Sequence, residues 1–218
     1  VLLREDGRFP LSKPCRIAAF GNGVRRTVKG GKGSGEVNSQ FFTNVEDGLV
    51  HAGFDVVSRK WLDSFDRLTA EARKAFVSEV KAQARAHHQM AAFYAMGMTM
   101  AESEYDFPLI TDDGKEAEVA VFVIARDSGE GNDRKPVKGD VLLTDSERRD
   151  ILKLNDTYEK FMLVLNTGGP VDLSGLEEVK NILVLSQLGQ LTGTALADIL
   201  LGRSNPSGRL ATTWSAMK

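Results

Sequence analysis

The residue types best suited to chemistry stand together in Asp127-Ser128-Gly129-Glu130-Gly131-Asn132-Asp133-Arg134. A glycine on each side of Glu130 frees the backbone for φ > 0 and lets the carboxyl group swing. A carboxylic acid so placed can give and take a proton once burial under a partner or substrate raises its pKa. Asp127 and Asp133 add carboxylates close by, and Arg134 would hold a neighbouring one ionised. A solvated polar loop is the plain alternative, and these residues alone leave both readings open.

The element that must carry this loop lies just before it. Between Glu118 and Arg126 runs the uncharged stretch Val-Ala-Val-Phe-Val-Ile-Ala, which reads as a buried strand. In open α/β sheets ligands bind at the carboxyl ends of the strands, where Glu130 falls. Arg16 to Phe20 reads as a first strand closed by the turn Gly21-Asn22-Gly23. The spacing of Phe41, Val45 and Leu49 predicts a helix from Asn38 to His51, ended by Gly53. A short strand over Phe54 to Val57 follows. Thr69 is placed to cap a long helix, Ala70 to Ala86, with Ala72, Phe76 and Val80 on one face. Thr144 or Asp145 caps the next helix, and strands over 161–165 and 181–185 precede a last helix near Thr192 to Leu201. Strands alternating with helices predict an α/β fold: a mostly parallel sheet with helices on both faces.

Composition narrows the function. A net charge of −2 leaves no electrostatic footprint for nucleic acid. No apolar run approaches a membrane span, and no signal peptide is visible, so the reading leans to a soluble cytoplasmic protein. Val1 in place of Met leaves a fragment or a processed chain open. The chain reads as a single domain over 1–218, with connecting arms at about 1–13 and 204–218. No cofactor is expected. The single cysteine, Cys15, excludes an internal disulfide, and His51, His87 and His88 are too few and too scattered for an expected metal site. Gly30-Gly31-Lys32-Gly33-Ser34-Gly35 departs from a P-loop because Gly33 separates Lys32 from Ser34, and Arg26 stands where the early glycine belongs. It reads as a flexible loop, or as one bordering a polar ligand. The turn at Gly21 matches a dinucleotide fingerprint at two glycines only. Trp61 and Trp214 are able to stack on a sugar, with core packing the plainer reading.

Taken in order, several segments resemble one family. Leu2-Leu3-Arg4-Glu5-Asp6-Gly7-Arg8-Phe9-Pro10-Leu11 is similar to its "LL+N-GxLPL" opening. Residues Ser128 to Arg134 resemble its "SGEG-DR" loop, and Gly139-Asp140 with Leu143-Thr144 its "GD-xL" segment. Val164 to Val171 and Ala195 to Leu210 resemble its closing motifs. The family is glycoside hydrolase family 3, and the matching part is its α/β sandwich domain. Leu188, Leu191 and Ala211 depart from the pattern, in structural segments, and His87 to Glu118 matches nothing in it.

The resemblance implies a six-stranded α/β/α sandwich packed against a (β/α)8 barrel that supplies the nucleophile. No segment here matches the barrel, so the nucleophile is not expected on this chain. It implies Glu130 as general acid/base, a β-glucoside or oligosaccharide as substrate, and an isolated chain without hydrolase activity. Asp133, Arg134, Gly33 and Ser34 are then candidates to line the aglycone side. The rival reading is a flavodoxin-like nucleotide-binding or regulatory module. A receiver would need acids after the first strand, where this chain has Gly21-Asn22-Gly23.

Overall fold

The structure, a computed structural model, describes residues 1–31, 37–91, 100–128 and 133–214. Among these, six strands form one sheet in the order β1-β6-β5-β4-β2-β3. The strands are β1 (Leu2–Arg4), β2 (Arg16–Phe20), β3 (Asp55–Val56), β4 (Val119–Arg126), β5 (Phe161–Thr167) and β6 (Ile182–Val184). Five run parallel, and β1 is antiparallel to β6. All eight residues of β4 are buried, as a central strand covered on both faces requires. It pairs with β2 from Ile17↔Val119 to Phe20↔Phe122 and with β5 from Ala120↔Phe161 to Arg126↔Thr167.

Among the described residues four α-helices cover the sheet: α1 (Val45–His51), α2 (Arg59–Ala86), α3 (Asp145–Thr157) and α4 (Thr192–Leu200). α1 and α4 meet backbone to backbone through Gly48 and Gly193. A Cβ on Gly193 would stand 1.8 Å from the Asn44 carbonyl oxygen, and one on Gly48 would stand 2.2 Å from that of Gly193. α2 and α3 share the other face, joined by the 100–115 segment. Tyr105 stacks among Trp61, Phe65 and Phe107 and donates to the Asp150 carboxylate at 2.9 Å. The architecture is the three-layer sandwich the sequence predicts.

Three local expectations change. The helix expected from Asn38 starts at Val45, because the backbone of Thr43 is committed elsewhere. Its N–H donates to the Gln190 carbonyl and its carbonyl accepts from Gly193 N–H. Asn44 then caps α1 by accepting from Asp47 N–H at 2.8 Å, and Phe41 stays exposed. Thr69 caps nothing: α2 begins ten residues earlier and buries Trp61, Leu62 and Phe65. The start was hidden because a distant side chain serves it, Asp112 accepting from Lys60 N–H at 2.8 Å. Third, the N-terminal arm contributes β1, with Val1 and Leu2 held against Val184 and Leu183. Trp61 is wholly core, whereas Trp214 packs half-buried at its margin. Among the described residues no helix is long and apolar enough to cross a membrane.

The start of α3 has two layers of capping. Thr144 and Glu147 form a reciprocal capping box. Outside it, Glu104 accepts from Asp145 N–H, Ser146 N–H and the Ser146 hydroxyl at 2.7–2.8 Å. Partial burial works against the charge on Glu104, but the two N–H donors outweigh it and hold the carboxyl below its usual pKa.

Two outcomes follow. Gly193→Ala should cost about 2–3 kcal/mol in chemical denaturation, since backbone must move to admit the methyl group. Gly208→Ala, whose Cβ would meet only Val1 at 3.4 Å, should change little. Glu104→Gln should lower the melting temperature at neutral pH. A depressed carboxylate contributes stability above its unfolded pKa and loses it as pH falls through the folded one. The gap between the two proteins should therefore close below about pH 4.

Candidate functional site

The sheet order reverses between β2 and β4: the chain moves from β2 to β3 on one side, then crosses to β4 on the other. A crevice opens at the carboxyl ends of the two strands at such a point. Gly21 shapes it. Its φ is +93°, and a Cβ there would stand 2.4 Å from the Val123 carbonyl oxygen, so only glycine lets β2 turn this close to β4. Asn22 then clips the strands together. Its Oδ1 accepts from Ala125 N–H at 2.7 Å, and its Nδ2 donates to the Ala125 carbonyl at 2.9 Å and to Glu102 at 2.6 Å. Arg26 also donates to Glu102, at 2.9 Å. Asn166, buried at the end of β5, does the same one strand along. It accepts from Val28 N–H and donates to the carbonyls of Val28 and Ser186.

Asn22, Arg26 and Glu102 border a cleft of about 670 Å³. Polar groups from Asn22, Arg26, Glu102 and Asp127 meet an apolar wall from α2, Phe76 and Val77. A second, shallower groove of about 770 Å³ lies on the β1 side, between Leu3, Asp172 and Trp214.

The cleft's floor depends on the end of β4. Arg126 is buried and donates twice to Glu147, at 2.6 and 2.8 Å, and to the carbonyls of Asp140 and Ala125. Asp140 is also buried. Its Oδ1 accepts from Arg134 Nε and its Oδ2 from Lys135 N–H, each at 2.7 Å. Arg134 further donates to the carbonyls of Asp140 and Pro170. Gly139 allows this turn, with φ +82° and the Glu102 backbone 2.4 Å from any added Cβ.

Of the expected site residues, Glu130, Gly33 and Ser34 lie outside the described residues. The described flanks of both stretches reach the same cleft: Gly31 and Asp127 line it, and a Cβ on Gly31 would lie 3.1 Å from the Ser128 carbonyl oxygen. Asp133 is exposed on the returning strand of the loop, and Arg134 is turned inward to Asp140. Arg134 thus serves the turn that carries the loop; no contact with a ligand is implied by its pairing. No group of three metal-ligating side chains occurs among the described residues. Burial, with Glu118 nearby, raises the Cys15 thiol pKa, which weakens it as a nucleophile. Asn22, Glu102, Asp140 and Asn166 were not singled out as site residues. Their signal was a polar residue at the glycine-flanked end of an apolar run, visible at Asn22 and Asn166.

The sequence profile described as the glycosyl hydrolase family 3 C-terminal domain matches residues 1–218. Beta-glucosidase A of Butyrivibrio fibrisolvens is 30% identical over 99% of this chain, which covers 27% of that protein. A beta-glucosidase of Ruminococcus albus is 29% identical over 98% of this chain, which covers 21% of it. The solved structure of beta-glucosidase 3B from Thermotoga neapolitana in complex with glucose superposes with a TM-score of 0.75 at 33% identity. It covers 98% of this chain, and this chain covers 29% of it. The chain therefore spans between a fifth and a third of these relatives. With a reversed α/β sheet and a profile match from first residue to last, the chain belongs to the C-terminal domain family of glycosyl hydrolase family 3.

Proposed function

We propose that this domain supplies the general acid/base, Glu130, to a retaining β-glucosidase site completed by a (β/α)8 barrel. The observation that carries the reading is positional: the Ser-Gly-Glu-Gly stretch follows in sequence directly after the end of β4, and that strand end borders the reversed-order crevice where open α/β sheets take ligands. Relatives named beta-glucosidases support the substrate class. Their greater length leaves room for a barrel of roughly 250 residues.

The chemistry suits a divided site. Retaining hydrolysis needs two carboxyl groups about 5–5.5 Å apart. The barrel's carboxylate attacks the anomeric carbon while Glu130 protonates the departing oxygen. Glu130, now ionised, takes a proton from water as that water attacks the glycosyl intermediate and frees the barrel carboxylate. Docking of the barrel would bury Glu130 and favour its protonated form. The cleft at the end of β4 would take the aglycone.

In the parent enzyme, Glu130→Ala should lower kcat/KM on cellobiose by about 10²–10⁴-fold. Hydrolysis of 2,4-dinitrophenyl β-glucoside should lose far less at the glycosylation step, because that leaving group departs without a proton. Azide should restore part of the turnover by forming the β-glycosyl azide. Equal losses on both substrates with no azide product would remove Glu130 from the role. The 218-residue chain alone should not hydrolyse an aryl β-glucoside; turnover by it would refute the divided site.

A further inference from the structure

We propose that Asp140 is a positioning residue for Glu130, acting as a clasp that holds both ends of the loop between β4 and Arg134. The proposal rests on the acid/base reading of Glu130. The Asp140 carbonyl serves both ends, and its carboxylate adds two bonds to the returning one. Its carbonyl accepts from Arg126 Nε, on the last residue of β4, at 2.9 Å. The same carbonyl accepts from Arg134 Nη2 at 2.7 Å, and the carboxylate takes Arg134 Nε and Lys135 N–H, both at 2.7 Å. The outgoing and returning ends of the segment are thus tied to one residue that is 5% exposed.

The carboxylate is not needed to hold the sheet or the helix. β4 is fixed by its ladders to β2 and β5, and Arg126 is neutralised by Glu147 at the start of α3. The partners of the Asp140 carboxylate, Arg134 and Lys135, belong to the returning end of the loop. Its consequence is therefore geometric: Arg126 and Arg134, which flank Glu130 in the sequence, are both fixed to one residue. A general acid a single ångström out of place can lose about a hundredfold.

Asp140→Asn tests this in the parent enzyme. The amide keeps size and the backbone carbonyl but presents an N–H₂ where one of two donors now points. kcat/KM on cellobiose should fall about 10–100-fold, and that on 2,4-dinitrophenyl β-glucoside by less than about threefold. In a Glu130→Ala background the same substitution should have almost no further effect, since a clasp acts through the residue it positions. Arg134→Lys, which keeps the charge and loses the fork, should show the same selective loss and serves if the Asn variant does not fold. Equal losses on both substrates, or losses that multiply with those of Glu130→Ala, would overturn the clasp while leaving the acid/base role intact. If Glu130→Ala itself shows no dependence on the leaving group, the acid/base reading fails first and the clasp falls with it.

Discussion

The buried pair of Arg126 and Glu147 is the contact on which the rest of the structure turns. Their side chains are 4% and 3% exposed. Arg126 ends the central strand and Glu147 sits in the first turn of α3, where it also accepts from Thr144 N–H in the capping box. One ion pair thus fixes the end of β4, the start of α3 and, through the Asp140 carbonyl, the turn beneath the loop. Desolvation offsets much of the Coulomb attraction in such a pair, and an apolar replacement of both partners can be as stable. Losing one partner is different: it strands a buried charge at a cost of about 3–5 kcal/mol. That is a large share of the roughly 5–15 kcal/mol by which a domain is stable. The value of the pair lies in geometry: Arg126 Nη2 donates to both Glu147 oxygens while Nε and Nη1 donate to the Asp140 and Ala125 carbonyls, so one side chain holds a carboxylate and two backbone carbonyls.

What the sequence disclosed was what is encoded locally. β4 was legible as a β-branched run bounded by charges, and α3 as a helix starting at Thr144 or Asp145. The start of α1 was not, because it depends on Thr43 bonding to Gln190 and Gly193, some 150 positions away. The start of α2 was lost for the same reason, its Lys60 N–H being served by Asp112. β1 pairs three residues with a strand about 180 positions further on, and nothing in three residues announces that.

The site divides along the same line. The end of β4 was legible as the close of an apolar run, while the Ser-Gly-Glu-Gly stretch after it lies largely outside the described residues. The turn that anchors this strand end was not legible, although Gly139-Asp140 stood in a recognisable segment, because the work of Asp140 is to meet Arg126 and Arg134 in space. Asn22 and Asn166 act as extra rungs of backbone ladder beyond the strand ends, joining Ala125, Val28 and Ser186. Their partners are backbone groups of distant segments that no local pattern names.

The outermost strands carry a further consequence. The sheet ends in β1, three residues long, and on the other margin in β3, two residues long. An exposed strand margin is a template on which a foreign strand can add, and the hazard grows with its length. Here either margin offers a newcomer only one or two rungs. The charges of Arg4 on one side and Asp55 on the other add to the discouragement. The long, fully buried strands that would make the most adhesive templates, β4 and β5, are paired on both sides. The domain is thereby guarded against chain-to-chain sheet growth along its flanks.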